Sequence, residues 1–146
     1  MELYVNNSQD KILVDKNFHK TLKEIIMFTL NKEEISDFEL GVTLVDSHAI
    51  RELNRMYRGI DETTDVLSFP LTEASEDACI TGDIVISLET AVSQAEEYGH
   101  SLLREVSYLA VHGIYHILGY THNDESSQQK MREKEESILK HFDLSR

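Results

Sequence analysis

The segment from Ser101 to Leu118 sets the tightest limit on what this chain can become. Leu102, Leu103, Val106, Leu109, Ala110, Val111, Ile114, Ile117 and Leu118 recur at helical spacing on most sides of the segment rather than along one stripe. A helix apolar on most sides must be buried on most sides, so the pattern predicts this element deep in the fold with the others wrapped around it. The same helix carries His112 and His116. Four residues turn an α-helix by about 400°, so both imidazoles leave one face about a turn apart. Gly119 then stands where φ > 0 is easily adopted, and the chain can fold back so that His122 closes a triangle with the first two.

Three neutral imidazoles suit one divalent ion, zinc first, with nickel, cobalt or copper able to use the same ligands. They leave a tetrahedral ion one position open to water. That is the pattern of a catalytic site, whereas a structural site is closed by four protein ligands, and it predicts hydrolysis. The run has the spacing of the metal-dependent protease motif, but Gly113 occupies the position of that motif's glutamate base. A peptidase of that type would lack its base. Glycine inside a helix costs about 0.5–1 kcal/mol against alanine, so Gly113 implies that something needs close access beside the metal. His19, His48, His100 and His141 have no such spacing and read as surface residues or supports for the ligands.

The rest of the chain supplies the wrapping. Strands are expected at 2–5, 39–45, 66–69 and 83–87, and further helices at 15–30, 47–57, 88–98 and 124–141, the last capped by Asn123. Pro70 stops the third strand, and a polar acidic loop follows from Thr72 to Ala78. The order β α β α β β α α α is no regular βαβα alternation. It predicts an α+β fold, a small mixed sheet packed with helices. Without a repeat, linker or low-complexity tract, residues 1–146 read as a single domain. In helix 47–57, Ile50, Leu53 and Tyr57 are expected to face the core. Arg51, Arg55 and Arg58 lie on a neighbouring face, where Arg51 and Arg55 read as solvated surface.

Charge narrows the function. With 14 Lys and Arg against 27 Asp and Glu, the net charge of −13 argues against non-specific binding to nucleic acid or anionic membrane. Between Gly59 and Leu103 there is no Lys or Arg and there are ten Asp and Glu, so the basic residues cluster elsewhere. The amino end lacks the basic and apolar regions of a signal peptide, and no apolar run reaches the roughly 18 residues that span a bilayer. A cytoplasmic location is expected, with no membrane partner. Cys79, the only cysteine, excludes an internal disulfide and a Cys-rich zinc module, and reads as a small half-buried hydrophobe.

Four blocks, LNRMYRG (53–59), TDVLSFP (64–70), GDIVIS (82–87) and HGIYHILGYTH (112–122), carry a resemblance. In order and spacing the chain closely resembles the YbeY family of bacterial metal-dependent endoribonucleases, whose signature is HGxLHLxGYDH. The resemblance implies a single-domain α+β fold related to the zincins, with metal on His112, His116 and His122. It also implies cleavage of single-stranded RNA, maturation of the 3′ end of 16S ribosomal RNA and ribosome quality control, and it places Arg58 on the arginine of the family's YR motif. The implied partners are the 16S precursor and the ribosome or its associated proteins.

The sequence departs from the family pattern at Thr121, where Asp is usual, at Thr63, where Pro is usual, and at Thr81, where Leu is common. A threonine hydroxyl is a weaker substitute for a carboxylate that could orient a ligand or relay a proton. The expected chemistry is positioning plus electrostatics, with the Arg58 guanidinium forking onto phosphate oxygens beside the ion. Metal and arginine together make one attractive spot on a repelling surface, so RNA binding should be weak unless a partner supplies placement. A zincin-like metallopeptidase, or a ribosome-assembly factor braced by metal without catalysis, are the other classes such a sequence could serve.

Overall fold

The computed structural model describes residues 2–71, 79–121 and 123–144. The acidic loop expected at 72–78 and His122 lie outside the described residues. The elements run β1 (Glu2–Asn7), α1 (Lys16–Lys32), β2 (Asp37–Val45), α2 (Ser47–Arg58), β3 (Val66–Pro70), β4 (Cys79–Ser87), α3 (Leu88–Tyr98), α4 (Leu102–Ile117) and α5 (Glu125–His141). This is the order expected from the sequence. The strands form one sheet in the order β1-β2-β4-β3, with β1, β2 and β4 parallel and β3 antiparallel to β4. The architecture is α+β with a mixed sheet, as predicted.

Capping fixes where the helices begin. Asp15, Asp46, Ser87, Ser101 and Asp124 each accept a hydrogen bond from the backbone N–H three residues on, satisfying a donor that the first turn would leave unpaired. For α5 the cap is therefore Asp124, bonded to the Ser127 amide at 2.8 Å, and not Asn123 as expected. An aspartate there adds negative charge at the positive end of the helix, which Asn123 would not.

The sheet is covered on both faces. On one, Leu40, Val42, Leu44, Ile84 and Ile86 join Leu22, Ile26 and Leu30 of α1 and Val106, Leu109, Ala110 and Ile114 of α4 in the main core. On the other, Val45, Leu67 and Val85 pack with Ile50 of α2. The alternation of Ile84 and Ile86 with Val85 is the period-2 geometry of a strand buried on both sides. Helix α4 touches α1, α3, α5, β3 and β4, the central position that its apolar circumference demands. No described helix is long and apolar enough to cross a membrane.

Tyr57 departs from expectation. Ile50 is fully buried, but Tyr57 is 65% exposed and its ring meets the edge of Phe69, at 5.3 Å between ring centroids. The buried side of α2 passes instead through Asn54, which is 2% exposed and whose amide donates to the Glu62 carbonyl at 2.9 Å. The last turn thus runs past the covered part of the sheet.

Candidate metal centre

His112 and His116 come together on α4 as their spacing requires. Their Nε2 atoms are 3.0 Å apart and the rings stand at 82° to each other. Two nitrogen ligands of one tetrahedral zinc, each about 2.0–2.1 Å from it, would lie about 3.3 Å apart. The pair is therefore convergent at close to the separation one ion needs.

A residue that sequence reasoning missed fixes the first of these rings. Glu135 of α5 is 4% exposed, and its carboxylate lies 3.1 and 3.3 Å from Nδ1 of His112. A carboxylate only accepts, so this contact places the imidazole proton on Nδ1 and leaves the Nε2 lone pair directed at His116. A carboxylate behind a histidine is how metal-ligating imidazoles are commonly oriented and made more basic. The signal was present in the spacing of α5. Met131, Glu135, Ile138 and Leu139 are its buried residues, and one of them is a carboxylate on an otherwise apolar stripe.

Gly113 corrects a second expectation. A Cβ built there would meet Cδ1, Cγ2 and Cγ1 of Ile84 at 3.0, 3.0 and 3.1 Å. The close approach is that of β4 and not of a ligand beside the metal. The relation is reciprocal, since a Cβ on Gly82 of β4 would meet Cδ1 of Ile117 of α4 at 2.9 Å. Helix and strand thus interlock, each placing a glycine under the other's isoleucine, and this holds the histidine-bearing face in register with the sheet. Gly119, at φ 98°, carries the chain out of α4 as its position predicted.

The donor set fits a divalent ion: two imidazole nitrogens converge, and one ring is oriented by a buried carboxylate. Among the described residues, no three His, Cys, Asp or Glu side chains are arranged to hold a metal. The third expected ligand, His122, lies outside them, and Thr121 before it is exposed.

Arg58 sits on α2, the helix of the opposite sheet face. It is exposed, and its Nη1 donates to Oδ1 of Asn54 at 3.3 Å. Arg51 and Arg55 are solvated surface, as expected, in ion pairs with Asp61 at 3.0 Å and Glu52 at 2.9 Å. His100, read as a surface or supporting residue, is largely buried at the start of α4, with Nε2 2.6 Å from the Glu105 carboxylate. Cys79 is half-buried, as expected.

A family model described as Endoribonuclease YbeY matches residues 4–143, nearly the whole chain. The chain belongs to the YbeY endoribonuclease family. The Endoribonuclease YbeY of Desulforamulus reducens is 48% identical, with all of both chains covered. That of Clostridium botulinum (strain Loch Maree / Type A3) is 41% identical, with 99% of each covered. A Thermotoga maritima protein solved in solution has a similar structure, with a TM-score of 0.66 and 27% identity over 97% of this chain and 91% of that one. The family blocks acquire physical meaning here. The glycine of GDIVIS and the glycine of HGIYH are the two halves of the β4–α4 interlock.

Proposed function

We propose that this member of the YbeY family is a metal-dependent endoribonuclease, specific for single strands, that matures the 3′ end of 16S ribosomal RNA and serves ribosome quality control in the cytoplasm. The observation that carries the reading is the convergence of the His112 and His116 Nε2 atoms, with Glu135 behind His112. His112, His116 and His122 would hold one divalent ion, with zinc best matched to the imidazole donors. When bound, the ion supplies Lewis-acid stabilisation of the charge that builds on a phosphodiester under attack.

The chain's own residues do the rest. Glu135 holds the His112 proton at Nδ1 and so keeps Nε2 available as a ligand. Arg58, exposed and bonded among the described residues to a neutral amide, has guanidinium N–H groups to offer non-bridging phosphate oxygens. The acidic remainder of the surface repels RNA, so the ribosome or an associated protein would supply placement. Position 113, packed against Ile84, has no room for the glutamate base of a peptidase.

The test is cleavage of single-stranded RNA with and without a chelator, joined to complementation by His116→Ala in cells lacking the natural gene. Chelator-sensitive cleavage and loss of 16S 3′-end processing in a soluble, folded His116→Ala protein are expected. Normal processing by that variant would sink the assignment.

A further inference from the structure

We propose that Arg132 of α5 binds an RNA phosphate other than the one being cut, in a groove that leads away from His112 between α4 and α5. The proposal rests on the RNA-cleaving reading above and adds the path of the strand.

Two adjoining clefts, of about 440 and 270 Å³, share Tyr108 and Arg132 as wall residues. The smaller has His112 and Glu135 in its lining, and the larger extends to Asp65, Gln94 and Arg104. They form one groove that starts at the histidine and has Arg132 where its halves meet. Arg132 lies three residues before Glu135, about one turn of α5 from the carboxylate that touches His112.

The groove looks unsuited to RNA because acids outnumber bases in its walls, but each acid already has a partner. Asp65 accepts from the Val66 amide at 2.8 Å and from Gln94 at 3.3 Å. Glu105 is held by His100 at 2.6 Å, and Glu135 by His112 at 3.1 Å. Arg104, 6% exposed, is spent on Glu136 at 3.1 Å and on the Leu144 carbonyl at 3.1 Å. Arg132 is the exception among the charged side chains of this groove. It is exposed and makes no ion pair or hydrogen bond among the described residues.

A guanidinium with no ion pair among the described residues, in a groove whose own acids are each committed elsewhere, is a group whose partner comes from outside. The partner's chemistry follows from the other wall. The Tyr108 ring is already stacked with His112 at 5.6 Å and covered by Arg104 at 5.8 Å. The other aromatic of the groove, Tyr98, stands in the wall of the larger cleft, 53% exposed and stacked with His100 at 6.0 Å. Where the two clefts meet, the groove offers a cation, and the matching group is a backbone phosphate.

The test is steady-state cleavage of a single-stranded RNA oligonucleotide by the zinc-loaded protein across a salt series, for the wild type, Arg132→Ala, Arg132→Lys and, as a control for net charge, Lys20→Ala on α1. Arg132→Ala should raise KM about tenfold, the value of one charge-assisted contact. It should also flatten the slope of log KM against log salt by about 0.7, the release expected from one phosphate on a single strand. Lys should restore most of the slope, and Lys20→Ala should leave it alone. On a dinucleotide with a single phosphodiester, Arg132→Ala and wild type should behave alike, because no second phosphate is present. Equal KM and equal slope for Arg132→Ala and wild type on the long substrate would overturn this inference and leave the proposed function standing. A wild type that cleaves no RNA would overturn both.

Discussion

Replacing Gly113 with alanine sets two effects of known sign against each other, and the structure decides between them. In an open helix the substitution stabilises by about 0.8–1.0 kcal/mol, because glycine loses more backbone freedom on folding. Here the new methyl would stand 3.0 Å from two carbons of Ile84 and 3.1 Å from a third. Ile84 is fully buried in the core between the sheet and α4, so it cannot swing away. Overpacking of this kind costs about 1–3 kcal/mol. The net expectation is a loss of about 1 kcal/mol, a fall in Tm of about 3 °C for a domain of this size.

The sign should invert when the obstacle is removed. Ile84→Ala alone should destabilise by about 2–5 kcal/mol, and in that background Gly113→Ala should stabilise by about 1 kcal/mol, since the methyl then enters open space. Urea unfolding of the four proteins without metal measures the cycle. If Gly113→Ala stabilises the wild-type background and the effects add, the interlock does not explain the glycine. A glycine kept for access to the metal would show the opposite signature, with greater stability and weaker zinc binding.

Glu135→Gln should weaken zinc binding about 10- to 100-fold in a chelator competition titration, and an unchanged affinity would show that the carboxylate does not support His112. Arg58→Glu should leave metal content and melting temperature unaltered, because the side chain is exposed, while lowering RNA cleavage by about two orders of magnitude; retained cleavage would remove Arg58 from the site. Asp46 is held below the ordinary carboxyl range chiefly by the Ala49 amide, so its stabilisation is present above about pH 4 and lost as pH falls through the depressed folded value. Urea midpoints between pH 5 and 2 should accordingly fall more steeply for the wild type than for Asp46→Asn. At the other extreme, burial first and Glu135 second push the Tyr108 phenol up to about 12, so its contribution is intact below pH 10 and lost as pH rises through that value. Tyr108→Phe should flatten the alkaline decline, followed by circular dichroism.

What could be read from the sequence was local in origin. The all-round apolar pattern of α4 fixed its central place, and an i,i+4 pair of histidines is positioned by helix geometry alone, whatever surrounds it. The element order followed from periodicities within each segment. Features that arise from two distant segments meeting were hidden. Glu135 is 23 residues from His112, on a helix that also carries Glu125, Glu133 and Glu136, and only its place on the buried stripe separates it from them. The glycine at 113 was visible as an anomaly, but its cause lies in Ile84, so the reading that assigned it to the metal failed for want of a partner no local pattern supplies. Tyr57 failed for a related reason: helical spacing gives direction, and only the sheet's edge decides whether anything stands in that direction to be packed against. The same distinction separates the two arginines. Arg58 was singled out by the motif around it, whereas Arg132 has no motif and is one of several charges on a polar helix. Its significance lies in what the neighbouring acids already hold, which is a property of the assembled groove. A substrate path in an acidic protein is therefore better sought by asking which charges remain uncommitted after folding than by counting charges along the chain.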